Sequence, residues 1–346
     1  MPFVSVDIAT APVVSTAAGT VRSPGERQAG APGEVRLVAG RAPVIGVDLG
    51  GTKLLAGLAD ADGTLLLSRE APTRHGPDAP VLDQIAEMAR ALAGEAGLAA
   101  EEIAQLVIGV PSAVSPQTGL ASLSPNLALP ADRPLADLVG ARLPCPVAVE
   151  NDVNLAAYGE ASGLLDAAGS LVFVSFGTGV GMGLVINGAL VRGAFGRAGE
   201  IAYLPVGPQP HAAAQASENG LFEDLVGTAG IRQRFDLGSD SVADLFGRAA
   251  AGDAPAVAAI DTLARDASLG LAAVQALIDP ARIVVGGGIG SQAMFLARLR
   301  HHLVPLLPFD CPVEPSRFGA RAGLIGAVML AAHLAASRSA PAALAL

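Results

Sequence analysis

The sequence writes one three-strand grammar twice, and that repeat restricts the fold more than any other feature. Residues 44–69 give an apolar strand, a Gly50-Gly51-Thr52 turn, a second strand over Leu54–Ala59, an Asp62-Gly63 turn and a third strand over Thr64–Arg69. The grammar returns at 171–192: strand Leu171–Phe176, the turn Gly177-Thr178-Gly179, a second strand through Val185-Ile186, the turn Asn187-Gly188 and a third strand. Asp-Gly and Asn-Gly are the strongest short-range hairpin signals. Each half therefore opens with a β-meander whose first turn is glycine-rich. Two such halves facing each other would set two phosphate-type loops across one cleft.

The first of these turns also carries an unusual residue. Of the 22 lysines and arginines, only Lys53 is a lysine, and it closes the run Asp48-Leu49-Gly50-Gly51-Thr52-Lys53. Arginine is a wide planar fork and lysine a compact point charge that suits a tight backbone loop. Glycines let backbone N–H groups approach an anion where a side chain would block it. The segment reads as a site for a phosphate or metal–phosphate complex. A plain hairpin turn with an incidental lysine is the alternative.

Between and after the meanders the pattern becomes α/β. Residues 79–97 hold Val81, Leu82, Ile85, Met88, Ala89 and Leu92 at helical spacing. Leu106–Val110 and Val147–Glu150 read as strands, the latter leading into a helix over 152–165. Helices are expected over 240–251, 255–278 and Ala322–Ala336, with a strand Arg282–Val285 running into Gly286-Gly287-Gly288. The chain reads as an α/β protein of two lobes.

Composition removes several function classes. Apolar residues make up 51% of the chain and mean hydropathy is +0.49, but no run of about 18 uninterrupted apolar residues exists, so no spanning helix is expected. A net charge of −10 and a pI near 4.9 argue against a nucleic-acid partner. Cys145 and Cys311 stand far apart, form no metal or redox motif, and read as thiols of a cytoplasmic protein. Residues 1–42 show no sustained period and no signal-peptide pattern, and are expected to form a disordered tail.

Asp152 begins a helix after a strand, where the helix dipole favours an ionised carboxylate. Local sequence leaves two readings open, a catalytic base or a simple helix cap. The Gly286-Gly287-Gly288 run could by itself suggest a dinucleotide site, but no repeated βαβ unit follows it.

Four segments together carry a resemblance. They are Asp48–Lys53; Glu150-Asn151-Asp152-Val153-Asn154; Phe176-Gly177-Thr178-Gly179-Val180-Gly181 with Gly199-Glu200 downstream; and Val285–Gly288. In order and spacing they resemble the ROK family of bacterial sugar kinases and related repressors, in its glucokinase-like branch, over residues 43–336. The resemblance implies the hexokinase–Hsp70–actin ATPase fold, with two RNase H-like lobes and an interlobe cleft. The N-terminal lobe would comprise 43–151 plus 320–336, and the C-terminal lobe 152–319.

The resemblance also implies an ATP- and Mg²⁺-dependent kinase acting on a hydroxyl of a hexose or N-acylhexosamine, glucokinase-like as first guess, and a homodimer or homotetramer. Asp152 would be the base. Asn126, Asn151, Asp152, Glu200 and Glu223 would bind the sugar, and Asn154 reads as a helix-facing polar residue. Gly50, Gly51, Thr52, Lys53, Thr178, Gly179, Gly286, Gly287 and Gly288 would bind the nucleotide, with Asp48 reaching Mg²⁺ through water. The family's zinc site, built from a His and a cysteine cluster, has no counterpart: Glu200-Ile201-Ala202-Tyr203 is followed by Gly207–Gly220 without a cysteine, and His211 stands alone. No zinc is therefore expected, and packing by Leu204, Pro205, Val206, Leu221 and Phe222 would hold the loop. Tyr203 reads as a core aromatic or, second, as a hydroxyl for the sugar. Ser112 stands where the family commonly has glycine, near the expected sugar pocket. The alternative function is a sugar-sensing regulator or non-catalytic sugar-binding protein. The acidic charge and the lack of a DNA-binding segment in 1–42 argue against the regulator.

Overall fold

The computed structural model describes residues 42–122, 129–130, 132–164 and 169–339. They form two compact units, and the repeat becomes one five-stranded sheet of the same plan in each. In the first unit β1 (Val44–Leu49), β2 (Lys53–Ala59) and β3 (Leu65–Pro72) form the antiparallel meander. Helix α1 (Val81–Glu95) leads to β4 (Gln105–Val110), which lies parallel to β1. A small hairpin of β5 (Ala113–Val114) and β6 (Ala121–Ser122) follows, then α2 (Leu135–Gly140) and β7 (Val147–Asn151), parallel to β4. The sheet order is β3-β2-β1-β4-β7. β4 is buried along its whole length and β1 at all but Asp48, as expected of strands covered on both faces. α1 lays Val81, Leu82, Ile85, Met88, Ala89 and Leu92 into this core, the residues whose spacing marked it as a helix.

Helix α3 (Asp152–Ala161) starts directly after β7 and stays in the first unit, because the second begins at Gly169. The boundary expected at 151/152 therefore falls one helix later.

The second unit repeats the plan with β8 (Ser170–Phe176) and β9 (Val180–Ile186), joined to β10 (Ala189–Leu190) through Asn187 and Gly188 in the left-handed region at φ 49° and 74°. The third strand expected here shrinks to two residues, since the chain bends away through Gly193 and Gly196, both at positive φ. A helical stretch follows: α4 (Pro210–Ala213), α5 (Leu221–Val226), α6 (Thr228–Arg234), α7 (Val242–Ala250) and α8 (Ala254–Ile278). Then β11 (Arg282–Gly286), α9 (Gly287–Gly290), α10 (Ala293–Leu303) and β12 (Val313–Pro315) complete the sheet in the order β10-β9-β8-β11-β12. Its core centres on Phe176, which meets the rings of Phe222 and Phe295 edge-on at 6.3 and 5.4 Å. The Phe222 ring fits only because position 270 of α8 is glycine; a Cβ there would stand 2.2 Å from the ring.

The last helix, α11 (Ala322–Ser339), returns to the first unit. Among described helices its length and apolar composition alone would suffice to cross a membrane. Here Leu324, Ala327, Val328 and Ala331 are buried, and Gly326 lies so close to α3 that a Cβ would overlap the Leu155 carbonyl. That is the packing of a core helix.

Candidate active site

In the first glycine turn the main-chain bonding is one-sided. Gly50 N–H donates to the Lys53 carbonyl at 2.9 Å. Thr73, buried just beyond β3, donates its hydroxyl to the Gly50 carbonyl at 2.7 Å and its N–H to the Thr52 carbonyl at 3.0 Å. His75 Nε2 lies 2.8 Å from the Gly51 carbonyl, which can only accept, so that nitrogen carries the proton. Each carbonyl from 50 to 53 thus has a donor, while the Gly51 and Thr52 N–H groups have no partner among the described residues. Open N–H groups on a tied-back turn make an anion cradle.

Two charged side chains flank this turn. Lys53 sits half-exposed at the start of β2 and its Nζ lies 3.7 Å from Glu70 Oε2. The expected fit of its ammonium inside the loop is therefore corrected: its carbonyl closes the turn and its side chain leaves it. Burial raises the Asp48 carboxyl to about 6, with the Lys53 charge opposing. A Cβ at Gly323 would stand 2.6 Å from Asp48 Oδ2, so glycine keeps the space beside that carboxylate clear. Mg²⁺ uses one or two carboxylates, keeps much of its water and takes phosphate oxygens. A half-buried carboxylate beside cleared space fits that demand. No group of three or more His, Cys, Asp or Glu side chains gathers among the described residues.

The start of α3 separates two roles the sequence left open at Asp152. Asn151 is the N-cap: its Oδ1 accepts the Asn154 N–H at 2.9 Å, and its Nδ2 donates to the Ser112 carbonyl at 3.2 Å. Asp152 therefore occupies the first helical position, and its Oδ1 accepts the Val153 N–H at 2.8 Å. Beneath them the buried Glu150 Oε1 accepts the Asn151 N–H and the Asn154 Nδ2, both at 2.9 Å. Ser112 is buried under the same junction.

The second turn repeats the first with different residues. Gly177 N–H donates to the Gly179 carbonyl at 3.0 Å. Thr228 donates its N–H to the Gly177 and Thr178 carbonyls at 3.2 and 3.0 Å, and its hydroxyl to the Gly177 carbonyl at 3.0 Å. The Thr178 and Gly179 N–H groups have no partner among the described residues. At its base Glu223 Oε2 accepts the Val180 N–H at 2.9 Å and lies 2.4 Å from where a Gly179 Cβ would be. Burial raises the carboxyls of Glu200 and Glu223 above the ordinary range. The Glu223 charge raises Glu200 further, which marks the two as neighbours. At the end of β11, Gly286 makes room for the Phe173 ring and Gly287 takes φ 81° against the Phe176 carbonyl. Gly288 is exposed, with open space where a side chain would be.

The profile of the ROK family matches residues 44–333. The chain belongs to the ROK family. It is 32% identical over 313 residues to a glucokinase of Streptomyces coelicolor, covering 83% of this chain and 96% of that one. It is 29% identical over 296 residues to an N-acetylmannosamine kinase of Citrobacter koseri, covering 83% and 98%. A ROK family glucokinase from Streptomyces griseus, solved in complex with glucose and AMPPNP, superposes with a TM-score of 0.68 at 28% identity over 84% of this chain and 99% of that one.

In this ROK chain the stretch after Glu200 is closed by backbone and by apolar contacts. Gly220, at φ 101°, approaches so near that a Cβ would stand 2.3 Å from the Ala202 carbonyl. Leu204 and Val206 pack on the core and Phe222 is fully buried within it. Pro205 is exposed, so it leaves the set expected to hold the loop. Tyr203 is 50% exposed, which corrects the favoured reading of a core aromatic. His211 is exposed. Asn126 lies outside the described residues. The structure brings together Asn151, Asp152 and Ser112 in the first unit, and Glu200 and Glu223 in the second. Thr73, His75 and Thr228 had no local sequence signal, because each acts on residues distant in sequence.

Proposed function

We propose that this ROK chain is an ATP- and Mg²⁺-dependent sugar kinase acting on a hydroxyl of a hexose or N-acylhexosamine, with glucose the first candidate. The names of its relatives and the two amide-lined glycine turns support this reading. One observation carries it: Asn151 is the N-cap, so the Asp152 carboxylate stands at the first helical position, where its Oδ1 accepts the Val153 N–H and the helix dipole favours its ionised form.

In the proposed reaction a sugar hydroxyl oxygen bonds the terminal phosphorus of ATP, the bond from that phosphorus to the ADP oxygen breaks, and the hydroxyl proton passes to Asp152. Phosphoryl transfer through a loose transition state needs mainly positioning and late proton acceptance, which a carboxylate can supply. Glu200 and Glu223, with Asn151, would take sugar hydroxyls; planar carboxylates can each accept from two adjacent ones. The Gly51, Thr52, Thr178 and Gly179 amides and the open space at Gly288 would receive the nucleotide. When bound beside Asp48, Mg²⁺ would offset phosphate charge.

ADP release across a panel of glucose, mannose, N-acetylmannosamine and N-acetylglucosamine, with ATP and with polyphosphate as donors, tests the reading. ATP-dependent turnover of at least one sugar is expected. Sugar binding without turnover by either donor would instead identify a non-catalytic sugar-binding protein.

A further inference from the structure

The two glycine turns are tied back by the same chemical device, placed at unrelated positions in the sequence. Thr73 follows the third strand of its meander, whereas Thr228 opens α6, which lies 49 positions after the turn's last glycine, Gly179. Each uses a backbone N–H and a hydroxyl on turn carbonyls: Thr73 on Thr52 and Gly50, Thr228 on Gly177 and Thr178. His75 adds a third donor to the first turn, at Gly51. In both turns the residue at the tip is an exposed threonine, Thr52 or Thr178, with an unpartnered N–H among the described residues.

The physical consequence is directional. A peptide unit carries its donor and acceptor at opposite ends, so fixing the carbonyl inward fixes the N–H outward. A glycine turn without such ties can flip its peptides and offer a carbonyl, which repels phosphate. Local strand pairing does not decide between these orientations, because the turn residues stand outside the ladders.

We propose that Thr73 and Thr228 are positioning residues of matching design: Thr73 holds the Gly51 amide open to phosphate beside the Thr52 amide that His75 sets, and Thr228 does the same for the Thr178 and Gly179 amides of its own turn. The inference rests on the kinase reading for the identity of that ligand, but its test needs no turnover. Thr73→Val and Thr228→Val keep the branched shape and the backbone N–H while deleting only the hydroxyl bond. Each is expected to weaken AMPPNP and inorganic tripolyphosphate about tenfold in calorimetry, the change that losing about 1.4 kcal/mol produces. The double variant should lose about a hundredfold, since the two hydroxyl bonds share no partner. Sugar affinity should be unchanged, and Thr73→Ser and Thr228→Ser should bind within about twofold of the parent, because both retain the hydroxyl.

Unchanged donor affinity in the valine variants, sugar and donor affinities that fall together, or serine variants as weak as valine would each overturn the assignment. If a valine variant does not fold, amide exchange on the parent decides. The Gly51, Thr52, Thr178 and Gly179 amides should exchange fast in the free protein and slow on adding AMPPNP; no slowing overturns the assignment. Response to AMPPNP alone would assign the site to a nucleotide, and response to tripolyphosphate as well would assign it to the phosphate chain, either supporting the clamp. A parent that binds AMPPNP but phosphorylates no sugar would sink the kinase reading and leave the clamp standing.

Discussion

Around Gly50–Lys53 the flanking charges are a half-buried carboxylate and a lysine, Asp48 and Lys53; under Gly177–Gly179 the carboxylate Glu223 is bonded to the Val180 N–H. If anion binding here depended on side-chain charge, the second turn would be a poor site. Both turns nevertheless tie back their carbonyls and leave two amides open. The common part is therefore the peptide geometry, and the differing part is what each unit does with its charges. Asp48 and Lys53 suit a donor and its cation. Glu223, paired with Glu200, suits an uncharged polyol, for which two neighbouring carboxylates offer several acceptors at the cost of mutual repulsion.

The largest break in this comparison should come from Asp152→Asn. The amide keeps the Val153 contact and the Asn151 cap but cannot take a proton, so kcat should fall about a thousandfold or more while sugar and AMPPNP affinities stay near the parent's. Stopped-flow turnover and calorimetry measure the two halves. A variant with most of the parent's turnover would remove Asp152 from the chemistry.

Glu200→Gln and Glu223→Gln come next. Losing a charge-assisted bond to a hydroxyl should raise the sugar KM about 10- to 100-fold, with nucleotide affinity little changed. The pH behaviour separates function from stability. Burial raises both carboxyls, so sugar affinity should fail on acidification at a pH above the ordinary 4.5 of glutamate. The stability sign is opposite. A carboxyl whose folded value is raised binds protons more readily folded than unfolded, so folding is favoured as pH drops through the raised value and disfavoured above it. Without sugar, Glu200→Gln should melt higher than the parent at neutral pH, and the gap should close towards pH 4.5. A variant that melts lower at neutral pH would mean Glu200 holds the fold together instead of serving a ligand.

Much of this architecture was legible in the sequence, and the gaps share a cause. The meanders, the two hairpin turns, α1, α8 and α11 follow from periodicity and turn chemistry confined to a few neighbours. Helix α10 was missed: Arg298, Arg300, His301 and His302 interrupt its apolar stripe, and three of them bond outside the helix, Arg298 and His302 to Asp261 and Arg300 to the Val313 carbonyl. The candidate site's residue types were readable because glycines and acids punctuate strands. Their partners were not. That Asn151 caps in place of Asp152 turns on one bond between adjacent candidates, and the threonine clamps depend on tertiary placement.

A smaller effect is expected where the second unit seats Glu223. Gly270→Ala would gain about 1 kcal/mol of helix propensity in α8 but drive a methyl into the buried Phe222 ring, and such overpacking costs about 1–3 kcal/mol. The net should be a modest drop in thermal midpoint with a raised sugar KM, because Phe222 precedes Glu223. The same packing argues that this loop stands without zinc: elemental analysis should find well under one equivalent per chain, and one full equivalent would place ligands where this reading has none.

Lys53→Arg should have the smallest effect, and it sharpens the comparison most directly. The sequence alone argues for damage, since a planar fork suits a tight loop poorly. In the structure the side chain leaves the turn and pairs with Glu70 at 3.7 Å, half in solvent, where a guanidinium has room. Exposed pairs of this kind contribute about 0–1 kcal/mol, so neither stability nor turn geometry should change measurably. The KM for ATP in Lys53→Arg is therefore expected within about twofold of the parent, the scale of so small an energy. Lys53→Met tests the charge itself: its loss removes the opposition to the raised Asp48 carboxyl and a cation beside the first turn. A several-fold rise in KM for ATP in methionine but not arginine would show that the first turn uses charge where the second does without it. A tenfold rise in arginine would show that the ammonium enters the turn once the donor binds, and that the compact shape of the chain's lone lysine matters after all.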